Sequence, residues 1–310
     1  KLKVTDENDH VVDEWTSTEE AHVIKELVVG KKYTLTETKP ADGFVTAESI
    51  EFTVENTKEV QKHQMLDDVT KVEISKKDIT DSSEVPGAKL IILDKDGKKV
   101  ESWTSTDKPH MVEKLPVGEY TLREEQAPDG YLIAEDVKFT VKDTGKVQKV
   151  KMKDAHPYGK LVIKKTDSTS KAALSGAEFE LREKESGKVV EKLVTDKTGT
   201  ATSGKIPIAT YKNGKVEKTV EYILVETKAP NGYELSSKKE EIRFEYKDGK
   251  TKVIEIVKEI KNTKSPSGST PTGNSPKTGD STNIWLPILL AVLSACGIGG
   301  VIWYKKKKGN

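Results

Sequence analysis

Apolar and polar residues alternate along this chain with the two-residue period of half-buried strands. The pattern is clearest at Ile50, Phe52 and Val54, at Val137, Phe139 and Val141, and at Ile242, Phe244 and Tyr246. Turn signals ("DKDGKK", "KDTGK", "ESGK", "YKNGK" and "YKDGK") separate these runs and predict hairpins. "DKDG" opens like a calcium loop, but the later ligands of such a loop are missing, which leaves a hairpin turn. The pattern also repeats. "KLKVTDENDHVVDEWTST" at the start matches "KLIILDKDGKKVESWTST" from Lys89, an offset of 88 residues that falls to 87 between Tyr33 and Tyr120. A third, more divergent copy begins near Tyr158, with "SGAEFEL" where the second has "PGAKLII". Short strands in copies of about 90 residues predict an all-β chain of tandem sandwiches. Residues 1–69 form the first copy, without its first strand, and 70–157 the second. Residues 158–263 form the third, in which "IPIATYKNGKVEKTVEY" adds one hairpin.

A carboxylate breaks the alternation in every copy. In "YTLREEQAPDGY" Glu124 shares its parity with Tyr120 and Leu122; Glu37 does the same in "YTLTETKPADGF" and Glu226 in "YILVETKAPNGY". In the second copy two more ionisable residues fall on inward positions. Lys76 follows Val72 and Ile74 in "VEISKKD", and Asp154 follows Val150 and Met152 in "VQKVKMKDA". An isolated charge in a dry core is strongly disfavoured. Buried amines therefore tend to lose a proton and buried carboxyls to keep one. A neutral amine is a nucleophile, and a protonated carboxyl polarises a neighbouring acyl group. Lys76 is expected to attack the Asp154 side chain, with Glu124 shuttling protons and water leaving, to give an amide between side chains. Fixed proximity supplies about 7–11 kcal/mol of such a barrier, so no external enzyme is needed.

These motifs resemble the Cna B-type or SpaA-like repeats, the isopeptide-forming domains of Gram-positive adhesins and pilins. "YxLxExxAPxGY" is similar to their glutamate box, "IxKxD" to their first strand, and "MxD" or "IxN" to their last; the resemblance covers nearly the whole chain. It implies immunoglobulin-like or prealbumin-like sandwiches whose first and last strands lie side by side. In the third copy it assigns the roles to Lys165 ("IKKTD"), Glu226 and Asn262 ("IKN"), with ammonia leaving instead of water. Lys164 competes for the first role, and parity with Leu161 and Ile163 favours Lys165. In the first copy Glu37 and Asp67 remain, but the lysine strand lies upstream of Lys1, so this copy is expected to stay unlinked. Asp68 is the alternative to Asp67, and the parity of Met65 rejects it.

After Asn262 the composition changes. Residues 264–274 lie within a Ser/Thr/Pro/Gly run that cannot bury a core and reads as a spacer. "SPKTG" (Ser275, Pro276, Lys277, Thr278, Gly279) is followed by 21 uncharged residues, Ile284 to Tyr304, and then by Lys305 to Lys308. As one helix that stretch spans about 31 Å, one hydrocarbon core, and the lysines mark its cytoplasmic end. Pentapeptide, apolar span and basic end together resemble the cell-wall sorting signal of Gram-positive surface proteins, with Ser275 where the common motif has Leu. The resemblance implies that a sortase cysteine attacks the Thr278 carbonyl, cleaves Thr278–Gly279 and passes the acyl group to an amine of the peptidoglycan precursor. Pro276 would kink the substrate and Gly279 admit the enzyme. The mature chain is then extracellular and wall-attached, meeting the membrane only transiently through 284–304. "STPTG" at 269–273 is a near-copy further from the span and reads as spacer.

Charge and composition narrow the function. Lys+Arg 52 against Asp+Glu 51 gives no basic excess for nucleic acid, and the charges are interspersed as on solvated strand faces. The five histidines have no metal-ligand spacing, and Cys296, the one cysteine, lies in the apolar tail, so the repeats have no disulfide. No Ser/His/Asp set, phosphate loop, cofactor or metal motif appears. The chain reads as the C-terminal piece of a longer protein, the stalk of a surface adhesin. Any host ligand would be held by a region upstream of Lys1. The alternatives are a sortase-polymerised pilin subunit, for which no "YPKN"-like acceptor stretch is present, or the wall anchor of an upstream enzyme.

Overall fold

A computed structural model of the chain describes residues 1–266, all strand and loop. The sorting signal at 275–279 and the apolar stretch at 284–304 lie outside the described residues. The first repeat contains β1 (Leu2–Asp6), β2 (Val11–Trp15), β3 (Lys32–Glu37) and β4 (Ile50–Thr53), in one antiparallel sheet of order β2-β1-β3-β4. Its core is small: Val4, Tyr33 and Leu35 are buried, with Trp15, Ile24, Phe52 and Met65 packed on them.

The second repeat is a two-sheet sandwich. Its strands are β5 (Lys71–Asp78), β6 (Lys89–Leu93), β7 (Lys99–Thr104), β8 (His110–Glu113), β9 (Gly118–Gln126), β10 (Val137–Val141) and β11 (Val147–Asp154). One sheet has the order β10-β9-β6-β7 and the other β11-β5-β8. Alternate residues of both sheets, including Ile74, Leu90, Ile92, Leu122 and Met152, fill the space between them. The first and last strands, β5 and β11, pair in parallel from Lys71↔Val147 to Asp78↔Asp154.

The third repeat repeats this plan. Its strands are β12 (Tyr158–Asp167), β13 (Glu178–Glu183), β14 (Val189–Val194), β15 (Thr200–Thr202), β16 (Ile206–Pro207), β17 (Ala209–Lys212), β18 (Lys215–Thr219), β19 (Glu221–Lys228), β20 (Glu240–Arg243) and β21 (Val253–Asn262). Here β14-β13-β19-β20 face a sheet in which β12 pairs in parallel with β21 and carries β15 and β16 on its other edge. The expected extra hairpin is β17–β18, turning at Asn213-Gly214, both at positive φ as a tight two-residue turn requires. The all-β, repeated sandwich read from alternation and turn spacing is the fold observed.

Candidate functional site

The inward parity of the odd residues holds in three dimensions. Lys76, Glu124 and Asp154 are buried in the second repeat, and Lys165, Glu226 and Asn262 in the third, each no more than 4% exposed. Lys165 is fully buried while Lys164 is exposed, as parity predicted. Parallel pairing places Lys76 opposite Met152, so Asp154, two residues further along, projects from the same face toward the lysine amine. The third repeat repeats the offset, with Lys165 opposite Ile260 and Asn262 two residues on.

Lys76 Nζ donates directly to Asp154 Oδ1 and lies 2.9 Å from Glu124 Oε2. Lys165 Nζ donates to Asn262 Oδ1 and lies 3.4 Å from Glu226 Oε1. In the third repeat Asn262 Nδ2 also donates to both Glu226 oxygens, at 3.0 Å each. The Glu226 carboxylate thus bridges the Lys165 amine and the Asn262 amide nitrogen. In the second repeat Glu124 Oε1 and Asp154 Oδ2 are buried with no donor of their own. Burial pushes Asp154 up to about 7, and the neighbouring Glu124 charge adds to the rise, while the Lys76 ammonium pulls the other way. Burial likewise lowers the Lys165 amine, against the opposing pull of Glu226. Burial thus favours the protonated acid at Asp154 and the neutral amine at Lys165.

Three local devices set this geometry, and the strand pattern disclosed none of them. A β-bulge in the pairing of β6 with β9 sits beside the Leu90↔Glu124 pair, and the pairing of β13 with β19 has its counterpart beside Phe179↔Glu226. Bulges bend a strand and re-aim its side chains. Each glutamate is then held by a backbone amide ten residues on. Ala47 N–H donates to Glu37 Oε2 (2.8 Å), Ala134 N–H to Glu124 Oε2 (2.6 Å) and Ser236 N–H to Glu226 Oε2 (2.8 Å). The intervening segment reverses direction in a turn closed by Tyr131 N–H to Pro128 O in the second repeat and Tyr233 N–H to Pro230 O in the third, with Gly130 and Gly232 at positive φ. Leu132 N–H then donates to Ala155 O and Glu234 N–H to Thr263 O, so the glutamate box is stitched to the end of the last strand.

The third device is a tyrosine–aspartate pair at the end of the lysine strand. Tyr131 OH donates to Asp78 Oδ2 (2.8 Å) and Tyr233 OH to Asp167 Oδ2 (2.9 Å). Asp78 is buried, which opposes its charge, yet hydrogen bonds from Thr80, Tyr131 and His156 hold it down to about 2. Asp78 and Asp167 are the last letters of "IxKxD", and Tyr131 and Tyr233 those of "APxGY", quoted in the motifs but given no role there. The first repeat has Phe44 in place of the tyrosine. Its Glu37 is buried and held as in the other copies, but Asp67 is exposed and lies outside any strand, and the structure does not bring the two together. Residues 58–68 have no lysine strand beside them here and so lack the partner that makes β11 and β21 strands.

A model of the SpaA prealbumin-like fold domain matches residues 1–68, 70–156 and 159–260. The chain belongs to this family. Among solved structures, its prealbumin-like domains are similar to the Bacillus anthracis TIE protein at 28% identity and a TM-score of 0.54, over 85% of this chain and 47% of that one. The chain thus spans about half the length of that structure. A Streptococcal ancillary pilin matches at 17% identity and a TM-score of 0.29, over 77% of this chain and 76% of that one. The shaft pilin SpaA from Lactobacillus rhamnosus GG matches at 16% and 0.26, over 65% and 99%. No curated protein matches the chain.

Proposed function

We propose that this chain is the wall-anchored stalk of a Gram-positive surface adhesin, stiffened by amides that its second and third repeats make for themselves. The observation that carries the reading is the buried set of amine, glutamate and acyl side chain, built twice on the same strand offset. In the second repeat Lys76 Nζ attacks Asp154 Cγ, Glu124 carries a proton from nitrogen to the departing oxygen, and water leaves. In the third, Lys165 attacks Asn262 Cγ and Glu226 delivers the proton to Nδ2, so ammonia leaves. Each bond forms once, so the chain is its own product and not an enzyme in the turnover sense. Sortase then joins Thr278 to peptidoglycan and discards the apolar tail, leaving the repeats outside the cell between the wall and a ligand-binding region upstream.

Intact mass tests the chemistry. The chain should be lighter than its encoded mass by one water and one ammonia. Glu124→Ala should restore the water and Glu226→Ala the ammonia. Tryptic peptides from folded protein that carry Lys76 and Asp154 separately would falsify the amide. Sortase treatment tests the address independently, since cleavage should leave a new C-terminus at Thr278. A pilin subunit would instead give ladders of covalent multimers.

A further inference from the structure

The hairpin found only in the third repeat does not pack on its own sandwich alone. It reaches back to the second repeat, onto the end where β5 and β11 finish. The Tyr211 ring on β17 stacks on His156 with centroids 3.5 Å apart and planes 4° from parallel, and meets Tyr131 edge-on at 5.2 Å. Tyr211 OH donates to Gly130 O at 2.8 Å. Behind it, Val85, Ala127 and Tyr131 form a small buried cluster on which Ile133 and Tyr211 pack. The fit depends on close backbone approach. A Cβ at Gly214, in the hairpin turn, would come within 1.8 Å of the Glu84 carbonyl oxygen, and one at Gly130 within 2.3 Å of Val216 Cγ2. Two further bonds cross beside it, Tyr246 OH to Tyr131 O (3.1 Å) and Ile133 N–H to Gly249 O (2.8 Å).

The other face of this seat is the Asp78 cluster. His156 Nε2 lies 2.8 Å from Asp78 Oδ2, the same oxygen that accepts from Tyr131 OH. Tyr211 thus covers residues that terminate the lysine strand of the neighbouring repeat. The junction of the first and second repeats has no such hairpin. It is crossed by Thr46, whose N–H and Oγ1 donate to Asp143 at 2.9 and 2.6 Å, by Thr70 N–H donating to Gly43 O at 3.1 Å, and by Lys114 above the Phe44 ring at 5.1 Å. A Cβ at Gly43 would come within 2.3 Å of the Lys114 carbonyl oxygen, and among the described residues no aromatic stack spans this junction.

We infer that β17–β18 is an inter-repeat clamp: by seating Tyr211 on the Tyr131–His156–Asp78 cluster it locks the second and third repeats into one rigid unit. This inference does not depend on the amides, since every contact it uses lies outside the condensing groups.

Hydrogen exchange of the full chain, read by mass spectrometry, tests it from both sides. Tyr211→Ala should raise exchange at 127–134 of the second repeat by about tenfold or more, with β9 and β11 unchanged. His156→Ala, made on the opposite side, should raise exchange at 209–219 of the third repeat to a similar degree. Coupling between sites is reciprocal, so both responses are required. If either substitution leaves the facing repeat exchanging as in the parent chain, the hairpin is a local ornament and the inference is wrong.

Discussion

A glutamate on the apolar side of a strand is a costly residue unless its neighbours change what it is. Glu124 and Glu226 sit against an amine on one side and an acid or amide on the other, held by a single backbone N–H. Substitutions separate the two leaving groups. Asn262→Asp should convert the mass deficit from one water and one ammonia to two waters, and Lys165→Ala should abolish the third-repeat deficit while Lys164→Ala leaves it intact. The acid also gives the second site a pH dependence that the amide lacks. Asp154 is raised from 3.8 to about 7, so the unlinked fold holds that proton more tightly than the unfolded chain does. Its contribution to stability is fully present below 3.8 and is lost as pH rises through about 7. Above that value the acid is a carboxylate, a poor acceptor for an amine. When chains held unfolded in denaturant are refolded and sampled by intact mass, second-repeat linkage should slow above pH 7. The third-repeat reaction at Asn262 should show no such loss from an acid.

At the scale of strands and turns, parity was a sufficient guide to the burial of Lys76, Glu124, Asp154 and Lys165, because a strand has two faces and only one was apolar, whereas Asn262 came from the family resemblance alone. It failed in the first repeat for a related reason. Parity has meaning only where a segment is a strand, and 58–68 has no partner here to make it one. The bulges beside Glu124 and Glu226, the amide ten residues on and the tyrosine–aspartate pair are relations between elements, and no single run of sequence displays them. The glycine of the glutamate box shows the kind of constraint involved. Gly232 has φ +82° and nothing near its missing Cβ, so an alanine there is penalised by backbone strain alone. Gly232→Ala in a Glu226→Gln background should lower urea-measured stability by about 1–2 kcal/mol. The same change in the linked protein should be harder to detect, because the amide already restrains the unfolded chain.

For the whole molecule, the amides would act through topology. Lys76 and Asp154 are 78 residues apart and Lys165 and Asn262 are 97. By analogy with a disulfide, closing such loops restricts the unfolded chain by about 4.5–4.7 kcal/mol each. Force reveals more than equilibrium does. A single chain pulled from its ends should release no length from 76–154, whereas Glu124→Ala should add about 270 Å of extension from that loop. The parallel pairing of β5 with β11 and β12 with β21 has a further consequence. With the proposed amides in place, tension arriving along a lysine strand would cross to the last strand and depart without visiting the residues between. Those residues are then released from any selection for tensile strength. They could drift, lengthen or carry whole hairpins such as β17–β18, while the tether stayed as strong as one covalent bond.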